Sequence, residues 1–215
     1  MCGIVGFYDG HHSHDSREIL WNMTNALEHR GPDDKGIWKD DDLNIYLGHR
    51  RLSILDLSKE GHQPMISRSG NSIMLLNGEI YNHKDLRSQL GDTISWRGSS
   101  DTETVLECIS IWGLEKTLDK IEGMFSIALW DLQKKELSLA RDPFGEKPLY
   151  YGWQKNLFFF GSELKAFKHH PDFLPSIDRN SLALYFRHNC IPAPYTIYKD
   201  IKKLMPGSFI TLDFK

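Results

Sequence analysis

The second residue of this 215-residue chain is a cysteine, in Met1-Cys2-Gly3-Ile4-Val5-Gly6. Once the initiator methionine is trimmed, one residue carries both a thiol and a free α-amino group. That amine titrates near pH ~8, against ~8.5 for an ordinary thiol, so it can take the thiol's proton at neutral pH without a histidine. The stretch also reads with no chemistry at all, as a small residue behind Met1, because a short motif alone often arises by chance. Three further groups could complete a site. Asn77-Gly78 sets a side-chain amide beside a backbone N–H, the donor pair of an oxyanion hole, although Asn-Gly is equally a hairpin-turn signature. Arg50-Arg51 precedes the apolar run Leu52-Ser53-Ile54-Leu55-Asp56-Leu57, and one of the two must point toward the layer that the apolar residues avoid. An arginine there can hold a carboxylate in a two-toothed fork or sit in a surface ion pair. Asp101, in Ser100-Asp101-Thr102-Glu103, suits a helix start, where a cap is worth ~1 kcal/mol, and could equally face a ligand ammonium.

The elements that must position these groups follow from periodicity. Ile4-Val5 and Phe7-Tyr8 read as a short buried strand that holds Cys2 rigidly. Asp15-Ser16 cap a helix with Ile19, Leu20, Met23 and Leu27 on one face, ended by Gly31-Pro32. Strands are expected at 36–39 and 43–48, leading into the alternating run, and a loop over 58–71 contains Gly61-His62-Gln63-Pro64. A fully buried strand over 72–76 should end at Asn77-Gly78. Asn82 caps a helix through Leu86 and Leu90, and the next helix carries Val105, Leu106 and Ile109 inward to Gly113. From Gly123 the pattern predicts an antiparallel meander at 124–131, 136–141, 149–153 and 157–161, then a helix over 162–168. Beyond Pro171, prolines punctuate a helix near 179–188 and a strand at 208–212, which read as a connector.

Bulk properties bound the partners. A formal net charge of -3 points to no nucleic acid, and no apolar run approaches the ~20 residues of a membrane span. No secretory signal is expected, and the compartment expected is a reducing cytoplasm. The three cysteines, Cys2, Cys108 and Cys190, show no metal or disulfide spacing. His11, His12 and His14 read as a solvated loop rather than a metal site.

Taken in order, six motifs resemble one family. They are Cys2-Gly3-Ile4-Val5-Gly6, His29-Arg30-Gly31-Pro32-Asp33, Arg51-Leu52-Ser53-Ile54-Leu55, Asn77-Gly78-Glu79-Ile80-Tyr81-Asn82, Ser100-Asp101-Thr102-Glu103, and Asp142-Pro143-Phe144-Gly145 with Pro148-Leu149-Tyr150-Tyr151. Together they resemble the glutaminase domain of class II glutamine amidotransferases, and most closely the asparagine synthase branch.

The resemblance implies an α+β fold of the N-terminal-nucleophile hydrolase type, a four-layer αββα sandwich with two antiparallel sheets. It implies a glutaminase domain over residues 1–168 and a connector over 169–215, leading to an ATP-dependent synthetase domain not in this sequence. Cys2 would attack the carboxamide of L-glutamine, and Asn77 with Gly78 would hold the oxyanion. Arg51 would grip the α-carboxylate, Glu79 and Asp101 the α-ammonium, and Leu52, Ser53, Ile54 and Leu55 would line the pocket. Ile54 and Met124 would face the exit for ammonia. No cofactor or metal is expected in this domain, whereas ATP and Mg would serve the synthetase. The implied product is asparagine, made from aspartate. A different acceptor such as a sugar, another amide substrate, a non-catalytic regulatory role and a homodimer stay open.

Overall fold

Strands that are apolar at odd and even positions alike must be covered on both faces. The computed structural model, which describes residues 1–10, 15–40, 42–91 and 94–214, shows how; the histidine-rich stretch 11–14 lies outside them. The first half of the chain runs β1 (Gly3–Asp9), α1 (Ser16–Asn25), β2 (Asp34–Asp40), β3 (Ile45–Arg51), β4 (Met65–Ile66), β5 (Ser72–Ile80), α2 (His83–Leu90) and α3 (Asp101–Trp112). The second half runs α4 (Leu114–Leu118), β6 (Gly123–Asp131), β7 (Glu136–Arg141), β8 (Tyr150–Gln154), β9 (Leu157–Gly161), α5 (Leu164–Phe167), α6 (Arg179–His188), β10 (Ile201–Lys203) and β11 (Phe209–Asp213).

A six-stranded sheet in the order β10-β8-β9-β1-β3-β2 lies against a five-stranded sheet in the order β11-β7-β6-β5-β4. All of their pairings are antiparallel. Ile4, Leu47, Leu75, Ala128 and Phe160 fill the space between the sheets. Val5, Phe7 and Tyr46 point the other way, onto Leu20, Met23 and Leu27 of the α1 region and Phe167 of α5. Met74, Leu76 and Phe125 do the same for the second sheet, packing on Leu86 of α2 and Val105 and Leu106 of α3. The result is the helix–sheet–sheet–helix sandwich that the family resemblance implies. Among the described residues no helix is long and apolar enough to cross a membrane.

Several local expectations need correction. The first helix ends at Asn25, not at Gly31-Pro32, because Leu27, Glu28 and Arg30 donate to carbonyls three residues back and tighten the chain into turns. The run Leu52–Leu57 is not a strand: Ile54, Leu55 and Leu57 are exposed. Asn82 is the N-cap residue of α2, but its side chain makes no capping bond; it accepts from Glu122 N (3.0 Å) and donates to Lys120 O (2.9 Å), tying the helix entry to the next segment. The expected meander is two hairpins, β6-β7 in one sheet and β8-β9 in the other. The turn between them explains the switch. The buried Asp142 carboxylate accepts from the N–H groups of Phe144, Glu146 and Lys147, at 3.1, 2.9 and 3.0 Å. The Arg141 guanidinium meanwhile donates to the carbonyls of Lys147, Gly145 and Leu204, folding the chain back across the sandwich edge. The segment from residue 169 joins both sheets, β10 on β8 and β11 on β7.

Candidate active site

Side-chain parity builds the site. In β1 and β3, Ile4, Ile45 and Leu47 face the space between the sheets. With a period of two, Cys2 just before β1 and His49 and Arg51 at the end of β3 share that face. In β5 and β6 the inward residues are Ile73, Leu75, Ala128 and Trp130, and the same parity brings in Asn77, Glu79, Met124 and Ser126. One end of the inter-sheet layer therefore changes from apolar to polar, with His49 and Arg51 on β3, Asn77 and Glu79 on β5 and Ser126 on β6 gathered beside Cys2. Antiparallel pairing aligns those ends, with Gly3 opposite Arg50 and Asn77 opposite Ser126.

A cavity of about 90 Å³ opens there, lined by Cys2, Arg51, Asn77, Gly78, Glu79 and Asp101. Leu52, Ile54, Leu55 and Met124 also border it. Ser53 does not; its N–H donates to Asp33 Oδ2 at 2.8 Å, which fixes the 52–55 segment from behind. Asn77-Gly78 is no hairpin turn and no strand end: both lie inside β5, which continues to Ile80. A Cβ on Gly78 would collide with the backbone of Met124 and Phe125, so glycine is what lets β5 and β6 approach.

The Cys2 thiol accepts from Leu52 N–H at 3.4 Å, and the Cys2 carbonyl accepts from Arg30 Nε at 2.9 Å. Arg30 is held in turn by Glu163 at 2.9 Å. Burial pushes the Cys2 thiol up, and Asp101 adds to this; the Leu52 N–H, the N-terminal charge and Arg51 pull it back. Met1 stands before Cys2 and borders the cavity.

Arg51 is buried, and its guanidinium donates to the carbonyls of Ser58 (2.8 Å) and Asp56. Gly61 packs so closely on that guanidinium that a Cβ would overlap it. Burial raises the Asp56 carboxyl, but hydrogen bonds from Ser58 and Ser99 outweigh it and bring it to about 2. That ionised anchor closes the 52–62 loop around Arg51, whose remaining N–H groups are available to a ligand carboxylate.

Across the cavity, Ser100 is the N-cap of α3 and accepts from Glu103 N at 3.2 Å, so Asp101 is a first-turn acid. Its Oδ2 accepts from Ile80 N (2.9 Å) and its Oδ1 from Thr102 N (2.8 Å). Burial raises the Asp101 carboxyl, those N–H groups and His83 oppose it, and Glu79 adds to the rise. Two acids side by side, one of them buried, make a seat for a cation.

His49 is fully buried and lowered to about 4 by burial, so it is neutral at physiological pH and donates from Nε2 to Leu76 O at 3.2 Å. Residues with no expected role also border the cavity, Gln63 and Lys147 among them. Gln63 falls in the Gly61-His62-Gln63-Pro64 loop with no signal that singles it out, and Lys147 carries none either. Among the described residues no group of three or more His, Cys, Asp or Glu could hold a metal ion.

Comparison with known proteins identifies the family. The model of a glutamine amidotransferase domain family matches residues 1–215. Asparagine synthetase [glutamine-hydrolyzing] 3 of Bacillus subtilis is 35% identical over 216 residues, covering 98% of this chain and 34% of that protein. Asparagine synthetase B [glutamine-hydrolyzing] of Escherichia coli is 37% identical over 168 residues, covering 77% of this chain and 30% of that protein. In fold, the chain resembles glutamine phosphoribosylpyrophosphate amidotransferase from B. subtilis, with a TM-score of 0.69 at 18% identity, over 100% of this chain and 49% of that one. The chain spans about a third of the length of the curated relatives it matches. A cysteine at a strand end, an arginine and an acid pair border one cavity, and the family match along the whole chain places this protein in the class II glutamine amidotransferase domain family.

Proposed function

We propose that this chain hydrolyses L-glutamine with Cys2 as nucleophile and supplies the ammonia to an ATP-dependent synthetase domain of a longer protein. One observation carries the reading: a single cavity presents the Cys2 thiol, the neutral donors Asn77 and Gly78, the buried Arg51 guanidinium and the acid pair Glu79 and Asp101, the complement of a zwitterionic amino acid with a side-chain amide. Arg51 takes the α-carboxylate, and Asp101 with Glu79 takes the α-ammonium. The thiol of mature Cys2 gives its proton to its own α-amine and attacks the carboxamide carbon. The oxyanion rests on Asn77 Nδ2 and Gly78 N–H. The amine returns the proton to the departing nitrogen, ammonia leaves, and a thioester remains. Water then attacks the thioester, the amine again taking and returning a proton, and glutamate is released.

Ammonia leaves past Ile54 and Met124, both on the cavity wall. In the full-length protein Met124→Trp is expected to preserve glutamine hydrolysis while lowering amidated product per glutamate; an unchanged ratio would reject this exit. The synthetase, with ATP and Mg, makes asparagine from aspartate in this reading, supported by the names of the relatives. Residues 169–215 lead into it.

The test is a substrate panel. Glutamine should be turned over, and amides lacking the α-carboxylate or α-amine should not. Asp101→Asn should raise KM by about 10–100-fold, the worth of a charged hydrogen bond. The sign of the pH effect follows from burial. A raised carboxyl binds its proton at higher pH than an ordinary aspartate, so the wild-type KM climbs as pH falls toward that range. In Asp101→Asn that climb disappears. Equal turnover of amides without the zwitterion would overturn the assignment.

A further inference from the structure

Gln63 is used by no step above, yet it is buried at 4% exposure and reaches the strand that carries the oxyanion donors. The short strand β4 pairs Met65 with Met74 and Ile66 with Ile73. Continuing that register sets Pro64 opposite Leu75 and Gln63 opposite Leu76. Pro64 has no N–H to give, and the backbone ladder stops. The Gln63 side chain takes over. Its Oε1 accepts from Leu76 N at 2.6 Å and its Nε2 donates to Leu76 O at 3.3 Å. A carboxamide thus makes the two-way exchange that a directly opposed residue makes in an antiparallel sheet. His49 adds a second donor to the same carbonyl, at 3.2 Å.

The Gln63 amide also reaches Thr102 Oγ1, at 3.4 Å, in the first turn of α3. Three residues beyond Asn77, Ile80 N donates to Asp101 Oδ2 in that same turn, at 2.9 Å. Asn77, Gly78 and Glu79 are therefore bracketed by two ties, at Leu76 and at Ile80, both running to the start of α3. Leu76 itself is buried, so without the amide its N–H would lack a partner in a site that excludes water.

We propose that Gln63 is a positioning residue for the oxyanion hole: its carboxamide stands in for a missing strand and holds the Leu76–Gly78 backbone at the distance the tetrahedral intermediate requires. The inference rests on the glutaminase reading above. Gln63 touches neither substrate nor thiol in this role, so its removal should slow turnover and leave the reactivity of the sulfur alone.

The experiment compares matured wild type with Gln63→Leu and Gln63→Glu. Steady-state glutamine hydrolysis is measured beside the rate at which iodoacetamide alkylates Cys2, which needs no oxyanion hole. For Gln63→Leu, kcat should fall about 10²-fold, the effect of a displacement near 1 Å, with KM and alkylation within about twofold of wild type. Gln63→Glu is the conservative probe and keeps the test open if the leucine variant fails to fold. Its carboxylate can only accept, but the protonated acid both accepts and donates as the amide does. Its activity relative to wild type should rise as pH is lowered, and that of Gln63→Leu should stay flat. An unchanged kcat in Gln63→Leu, a flat ratio in Gln63→Glu, or parallel loss of turnover and alkylation would each overturn the proposal, the last by making Gln63 a residue of the fold alone. A wild-type protein inert toward glutamine would instead remove the glutaminase reading, and this inference with it.

Discussion

Cys2→Ala is expected to lower glutamine hydrolysis by at least about 10⁴-fold, since removal of a nucleophile leaves only binding and oxyanion stabilisation. Cys108→Ala and Cys190→Ala should retain nearly full activity. The contrast has a structural basis. Cys108 is fully enclosed in α3, and burial pushes its thiol up to about 12, which keeps it protonated and inert. Cys190 is exposed and lies outside the cavity lining. Cys2 alone combines partial burial with a backbone N–H on the sulfur, and it gains a neighbouring amine once Met1 is removed. A glutamate-release assay on the three variants decides it, and equal loss in all three would refute the assignment. Intact mass must accompany the assay, because Met1 blocks the amine while it remains attached. Protein shown to be fully matured and still unable to release glutamate would equally count against Cys2 chemistry.

Asn77→Ala should reduce kcat by about 10²–10³-fold with little change in KM, the usual effect of deleting one oxyanion donor. The side chain is completely buried, and its Nδ2 lies 3.4 Å from Ser126 Oγ while its Oδ1 has no partner. Amide oxygen and nitrogen have nearly the same shape, so the side chain can be turned over. The Ser126 hydroxyl then donates to Oδ1, and the NH₂ takes the place of an orphaned acceptor. An unfilled donor there is what a developing oxyanion would complete. Asn77→Asp should be at least as damaging, since it opposes a developing negative charge with an acceptor. A loss of kcat below tenfold would show that Asn77 does not face the oxyanion.

The layers of the fold were readable because strands apolar at odd and even positions alike need cover on both faces, and Ile4-Val5 with the 72–76 run display that openly. The site was readable only in part. Cys2, Arg51, Asn77 and Asp101 stood out by residue type and came together through the family resemblance, not through spacing. The apolar run after Arg51 misled because alternation suggests a strand, whereas the Arg51 guanidinium and ionised Asp56 bind the backbone of 56–58 and hold it as a loop. Asn77-Gly78 misled because a dipeptide preferred in turns is overridden when β6 supplies a full ladder of partners. The sheet switch after β7 depends on long-range bonds from Arg141 to Leu204, beyond the reach of any local pattern. Gln63 escaped notice because its partner, Leu76, is a main-chain group with no signature of its own.

The shared parity of Cys2, Arg51, Asn77 and Glu79 makes competence all-or-nothing. A slip of β5 by a single position would swap every inward residue for its neighbour, presenting Leu76 and Gly78 to the thiol and turning both the amide and the acid toward the helices. Such a species would retain its secondary structure and most of its bulk, yet be dead toward the amide. Turnover per mole of folded protein therefore doubles as a gauge of strand alignment, one that circular dichroism cannot provide.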